Sequence, residues 1–326
     1  MNIIKVNHVL SKEVHSGIFE AIFRYFEEFS ENKGVKHYFS VYPKDNMDIY
    51  HYHRPNLEND LLDNAFTTVH HDLMDTDPWL NFENFLNIYK KMDHIICLNY
   101  EQQKILNSHG VHNTVVIPWG YNDNVFSVDD SKLEKRVSED KISLGVISKR
   151  YGRKVKGEAL LLELAKRLSP KDFKFTLVGD GRSESAYYLG KLGYEVEGFD
   201  YLPYKVFNSL YENLDALLIT SFYEGGPANV PEAFAKGVPV ISTPVGFAKD
   251  FIVNNENGII LSKDPSKDAK SIENILDKNF FNKLKLNARN MRKEMLTWEN
   301  VVDKYNQEYN LYLDTRNVKI NMKKII

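Results

Sequence analysis

Short β-rich runs and helix-patterned stretches alternate along the whole chain, and that alternation constrains the fold more than any other feature. The runs NIIKVNHV, KHYFSVYP, MDIYHYH, FTTVHH, HIICL and TVVIPWG are interleaved with stretches such as GIFEAIFRYFEEF, whose apolar residues recur at helical spacing. Strands that alternate with helices build parallel sheets, because parallel neighbours need a crossover long enough to hold a helix. The polar stretch FSVDDSKLEKRVSEDK, 126–141, interrupts the pattern. It then restarts with ISLGVIS, GEALLLELAKRL, FKFTLVGDG, YEVEGF, KVFNSLYEN, DALLIT, PEAFAKG, PVIST, GIIL and helices from 267 onward. A chain of 326 residues also exceeds what one core usually supports. The expectation is an α/β chain of two Rossmann-like, doubly wound domains, 1–130 and 131–299, with an aromatic-rich helix over 300–326 packing back on the first. Two such halves predict a cleft between them, lined by strand C-termini and helix N-termini.

Composition narrows the class. At 43% hydrophobic and 13% aromatic residues, the chain can fill large cores. No apolar run approaches the roughly 20 residues that span a bilayer, and the start lacks a signal peptide's apolar stretch. A cytoplasmic protein is expected, with membrane contact at most peripheral, through the basic tail RNVKINMKKII. Residues 1–130 hold 10 Lys and Arg against 19 Asp and Glu, leaving 32 against 26 for the rest of the 42 and 45. The acidic first half argues against nucleic acid as a partner, and the basic second half suits an anionic small ligand. Cys97, the single cysteine, lies in the apolar run HIICL and reads as a buried structural thiol. All ten histidines precede residue 113, an asymmetry that the sequence does not explain.

The most informative stretch is TSFYEGGPANVPEAFAKGVPVISTPVG, 220–246, a glycine-rich turn between the strand DALLIT and a helix that starts near Pro231. Such a turn presents backbone N–H groups and a helix dipole, which together suit a phosphate. Glu224 and Glu232 lie eight residues apart, so both carboxylates can face one cleft, one against a sugar ring and the other against a ribose diol. Spacing alone also fits a chance pair, since Glu is favourable in any helix's first turn.

The segment EGGPANVPEAFAKGVPVISTPVG, Glu224 to Gly246, fits the pattern EGxxxxxxEAxAxGxPVxxTxxG, and here the chain resembles glycosyltransferase family 4, retaining enzymes of the GT-B fold. The resemblance implies that Glu224 lies against the transferred sugar and that Glu232 binds ribose hydroxyls. It assigns the diphosphate to the backbone of Gly225, Gly226, Pro227, Ala228, Asn229 and Val230. SKRYGRKVKG, 148–157, resembles the family's GRxxxxKG, which makes Arg150 and Lys156 the pair that neutralises the pyrophosphate. Lys149 stands where the family has glycine, so Lys149 or Arg153 remains an alternative contributor. FTTVHHD resembles the strand end whose histidine reaches a sugar hydroxyl, which falls on His70 with His71 as competitor. Gly17 matches a glycine turn after the first strand, and IPWGYNDNVF matches the segment that closes the first domain. YEVEGF places the backbone of Phe199 at the nucleobase, and in GDGRSES Gly179 and Gly181 would line the nucleotide site.

The expected catalytic set is therefore Glu224, His70, Arg150 and Lys156. The reading implies a nucleotide-diphosphate sugar, UDP-sugar first, as donor of a hexosyl-type group. The acceptor would be a hydroxyl on a sugar, glycoconjugate or protein, in polysaccharide or glycoconjugate synthesis; a homo-oligomer stays open. No cofactor and no metal are expected, although Asp75-Thr76-Asp77 has the look of a metal-binding DxD, and His51 and His53 alternate toward one face. The diphosphate leaves toward Arg150, Lys156 and the 225–230 amides while the acceptor attacks from the same face and passes its proton to the departing oxygen. Two rivals differ in what they predict. An epimerase would form product without acceptor, and an inactive partner subunit would bind nucleotide without transfer or hydrolysis.

Overall fold

The computed structural model describes residues 3–12, 14, 17–31, 33–127, 141–150 and 155–325, with side chains as far as residue 318. The 130/131 boundary expected from the sequence therefore lies outside the described residues. Two compact units are present, Met1–Trp119 with Thr297–Ile326, and Gly120–Leu296.

The first unit is built on strands β1 (Ile4–Val9), β2 (Val35–Ser40), β3 (Ile49–Tyr52), β4 (Ala65–Val69), β5 (His94–Cys97) and β6 (Thr114–Val116). Their order is β2-β1-β3-β4-β5-β6 and every pairing is parallel. The chain steps one way from β1 to β2 and then the other way to β3, so the strand order reverses between β1 and β3 and opens a crevice at their C-terminal ends. The Gly17–Phe29 helix buries Phe19, Ile22, Tyr25 and Phe26 at helical spacing. Helices Phe82–Tyr89 and Tyr100–Ser108, which hydrophobic period did not single out, begin where the Asn81 and Asn99 side chains accept from Glu83 N and Gln102 N. The Trp298–Ile325 helix completes this unit, with Trp298 stacked on Tyr25 at 4.7 Å and Tyr305 edge-on to Phe26 at 5.2 Å. Cys97 is buried, and burial pushes its thiol up to about 12.

The second unit repeats the architecture with β7 (Ile142–Ile147), β8 (Phe173–Val178), β9 (Val196–Phe199), β10 (Ala216–Ile219), β11 (Val240–Ser242) and β12 (Gly258–Ile260). The order β12-β11-β10-β7-β8-β9 is again wholly parallel. Its strand order reverses between β7 and β10, so the segments after Ile147 and after Ile219 leave the sheet side by side. Leu160, Leu161 and Leu164 of the Glu158–Ala165 helix fill the core over β7 and β8, each such side chain contributing about 1.5–3 kcal/mol on burial. Both sheets agree with the doubly wound expectation. Among the described residues no helix is long and apolar enough to cross a membrane.

Candidate active site

In the second unit the two segments leaving the strand-order reversal are stitched together. Phe222 N donates to Val155 O at 2.7 Å, and Thr220 Oγ1 donates to Lys156 O at 2.9 Å. The approach is so close that a Cβ on Gly157, at φ +72°, would overlap the carbonyl of Thr220. This contact puts Lys156 Nζ on Glu224 Oε1, which Ser221 Oγ also reaches at 2.8 Å. Gly246 backs the turn from behind: at φ +48°, a Cβ there would sit 2.8 Å from Gly225 O and from Pro227 Cδ.

Glu232 belongs to the Asn229–Ala235 helix and is 7% exposed. Tyr204 Oη donates to its Oε1 at 2.6 Å and Tyr211 Oη to its Oε2 at 2.9 Å. Burial raises its carboxyl to about 7 against the opposing pull of these two hydroxyls. Phe126, fully buried, lies edge-on to both tyrosines at 5.9 and 5.6 Å, so the IPWGYNDNVF segment supports the carboxylate from beneath. Lys236 Nζ holds the end of that segment by donating to Ser127 O at 2.7 Å.

The phosphate cradle expected over 225–230 needs correction. Pro227 has no N–H to give, and Val230 N is spent on Pro227 O at 3.0 Å. The amides of Gly226 and Ala228 remain without an acceptor among the described residues. Asn229 contributes through its side chain: Nδ2 donates to Ile147 O at 2.9 Å, while Oδ1 is buried without a partner among the described residues. Arg150 is held by Glu184, with Glu158 at 3.7 Å, so its charge is matched in this state. Arg182, which the sequence reading overlooked, is fully buried, paired with Glu158, and donates to Ser148 O at 2.7 Å and Ser148 Oγ at 2.8 Å. Gly179 N bonds Phe199 O at 2.9 Å, which commits the carbonyl expected at the nucleobase, and Phe199 is 38% exposed. Arg153, the alternative cation, lies outside the described residues.

In the first unit histidines form an array. His37 on β2, His8 on β1, His53 just past β3 and His70 just past β4 lie on consecutive strands of one sheet face. Parallel strands sit about 4.8 Å apart, and the ring centroids accordingly lie 5.0, 5.2 and 5.1 Å apart, the first pair tilted and the other two stacked. Their nitrogens meet in series: His37 Nδ1 to His8 Nε2 at 2.8 Å, His8 Nδ1 to His53 Nε2 at 2.9 Å, and His53 Nδ1 to His70 Nε2 at 2.9 Å. His51 lies beside them, bonded to Tyr309 Oη at 2.7 Å and Thr68 Oγ1 at 2.9 Å. Burial, then the neighbouring imidazoles, hold His8 and His51 well below their usual value; for His53 and His70 the causes are burial and then a neighbouring imidazole and the Arg54 guanidinium. Burial lowers His37 to about 4 and His71 to about 3. The Arg54 guanidinium rests over the Phe19 and Trp79 rings at 5.7 Å each.

Around Gly17 a Cβ would meet nothing within 4 Å, so packing does not require glycine there. Asp75 and Asp77 cap turns, accepting from Asp77 N at 3.0 Å and Trp79 N at 2.9 Å. No cluster of three metal-ligating side chains occurs among the described residues.

The sequence pattern of Glycosyl transferases group 1 matches residues 130–294, half of the chain. The chain belongs to the group 1 glycosyl transferases. Two uncharacterized glycosyltransferases of Methanocaldococcus jannaschii are similar, one 24% identical over 207 residues (60% of this chain, 52% of the relative) and one 26% identical over 232 (67% and 58%). The chain thus spans about half the length of the curated relatives it matches. Its fold is shared with sucrose-phosphate synthase of Thermosynechococcus elongatus, at a TM-score of 0.76, 15% identity, and 96% and 100% coverage of the two chains. It is shared also with HepE of Anabaena, solved with UDP and glucose, at 0.70, 15%, and 94% and 99%. These neighbours establish a GT-B-type architecture of two parallel-sheet domains. In this group 1 glycosyl transferase, Glu224, Lys156, Glu232 and Arg150 all lie in or beside the segments that leave β7 and β10. Tyr204, Tyr211 and Arg182 are what sequence reasoning missed.

Proposed function

We propose that the protein is a retaining glycosyltransferase that moves a hexosyl group from a nucleotide-diphosphate sugar to an acceptor hydroxyl. The observation that carries this reading is the pairing of Lys156 with Glu224 beside the doubly hydrogen-bonded Glu232, both at the strand-order reversal where α/β sheets bind ligands. Glu232 keeps lone pairs that a ribose diol can use. Lys156 is close enough to exchange Glu224 for a phosphate, and Arg150 can do the same with Glu184. The Gly226 and Ala228 amides would add neutral donors to the diphosphate.

In the step itself the C1–O bond to the diphosphate breaks with its electrons on the leaving oxygen. The acceptor oxygen then bonds C1 from the same face, and its proton passes to the departing phosphate oxygen. Freed from Lys156, Glu224 orients the sugar and stabilises positive charge at C1. His70 accepts a hydrogen bond from a substrate hydroxyl. UDP-sugar is the first donor to try, since HepE was solved with UDP-glucose and Staphylococcus aureus TarM with UDP. A polysaccharide or glycoconjugate acceptor and a metal-independent reaction complete the proposal.

The test is a thermal-shift and hydrolysis screen against UDP-, GDP-, ADP- and dTDP-sugars, with EDTA and with magnesium. Stabilisation by one donor, with slow EDTA-insensitive nucleotide release, supports the reading. Glu224→Gln should then lower turnover by about 100-fold or more with the fold intact, and comparable turnover in the folded variant would remove Glu224 from this role.

A further inference from the structure

The imidazole series in the first unit ends on an amide. Asn306, from the Trp298–Ile325 helix, places Oδ1 at 3.1 Å from His37 Nε2, and its Nδ2 donates to Ser30 Oγ at 3.1 Å. An amide oxygen only accepts, so the His37 proton on that side must be on Nε2. A neutral imidazole has one N–H, which leaves His37 Nδ1 a bare acceptor, and the same logic passes from ring to ring. His8 Nε2 donates to His37 Nδ1, His53 Nε2 to His8 Nδ1, and His70 Nε2 to His53 Nδ1. The remaining nitrogen, His70 Nδ1, is shielded from solvent and has no partner among the described residues.

We propose that Asn306, His37, His8 and His53 are positioning residues that act as one directional chain, fixing His70 in the tautomer whose Nδ1 is unprotonated and accepts from a substrate hydroxyl. The strongly lowered basicity of these imidazoles keeps each ring at one proton at neutral pH, which the directionality needs. Because every ring has one donor and one acceptor, the chain has two orders only, and turning one ring reverses all the rings between it and His70 or breaks a buried bond. The role of His70 toward substrate rests on the transferase reading above; the order of the chain does not.

The experiment is long-range proton–nitrogen NMR of the full chain labelled with 15N-histidine, at pH 7.5, with signals assigned by single His→Gln variants. The expected result is Nε2–H at His37, His8, His53 and His70 alike; Nδ1–H at any of the four overturns the proposal. Asn306→Leu then removes the terminal acceptor. Either order then leaves one buried N–H bare, on His37 Nε2 or on His70 Nδ1, so the chain loses its fixed direction and His70 should populate the Nδ1–H tautomer. With a donor sugar identified, kcat/KM should fall about tenfold. Tyr309→Phe, one turn along the same helix and bonded to His51 instead, should leave the His70 tautomer and kcat/KM within about twofold. An unchanged His70 tautomer in folded Asn306→Leu overturns the part assigned to Asn306. Failure of every donor sugar would defeat the transferase reading alone, since the spectra of the unmodified chain still decide the chain's order.

Discussion

The two units share one architecture and handle polar groups at their strand ends in opposite ways. In the first, neutral histidines are stacked across the sheet face and hydrogen-bonded in series. In the second, which has no histidine, carboxylates are set against cations: Glu224 on Lys156, Glu158 on Arg182, Glu184 on Arg150. The array accounts for His8, His37, His53 and His70, with His51 beside them, among the ten histidines before residue 113, and the contrast assigns different liabilities. Neutral rings must gain protons when the chain unfolds in acid, whereas a buried ion pair fails when one partner is removed.

The largest consequence is a pH response confined to the first unit. His8, His37, His51, His53, His70 and His71 are all held below the usual 6.5 by burial. Between 6.5 and the lowered folded values the unfolded chain binds more protons, so stability is present above 6.5 and lost as pH falls. Each ring contributes up to about 1.4 kcal/mol per pH unit, several kcal/mol together. Trp79, Trp119 and Trp298 all lie in this unit, so tryptophan fluorescence reports it alone. A urea midpoint by fluorescence should drop sharply from pH 7 to 5, and an unmoved midpoint breaks the comparison.

Next in size is Arg182→Leu, which removes the closest cation from Glu158, leaving it Arg150 at 3.7 Å and the Ser185 hydroxyl, and should cost about 3 kcal/mol, the low end for breaking a buried pair. Far-UV circular dichroism should gain an early transition while the fluorescence transition stays in place. A joint shift of both would mean that the units do not unfold separately.

Glu232 sharpens the contrast in sign. Its carboxyl is raised from 4.5 to about 7, so its contribution is present below 4.5 and lost as pH climbs through 7, by about 3 kcal/mol. Glu232→Gln should therefore help the second unit at pH 8 and leave it nearly unchanged at pH 5, as read by circular dichroism melts. The smallest effect belongs to Asp77→Ala, which removes the cap of the Pro78–Leu80 turn for about 1 kcal/mol, with no dependence on magnesium. A magnesium-dependent shift in the parent chain that the variant lacks would reopen the DxD motif as a metal site.

Much of this was readable from residues. The described strands are legible as short β-rich runs, most plainly the buried ones in DALLIT and HIICL, and the Glu224–Gly246 segment locates the turn. Strand order is different: nothing in MDIYHYH says that β3 lies against β1 with β2 beyond, so the alternation of His51 and His53 is legible while their alignment with His8 and His37 is not. Tyr204 and Tyr211 reach Glu232 across 28 and 21 residues, a contact made by tertiary packing. The cradle departs from the motif at Pro227, which has no N–H, and at Val230, whose N–H closes a local turn on Pro227 O.

The Trp298–Ile325 helix has a consequence for how the chain is made. Tyr305, Asn306 and Tyr309 close the histidine face, yet they are translated after the whole of Gly120–Leu296. On the ribosome the later-encoded unit is complete first, and the earlier-encoded one waits with its imidazoles unsealed. Completion of the first unit thus waits on a helix that is translated after the second.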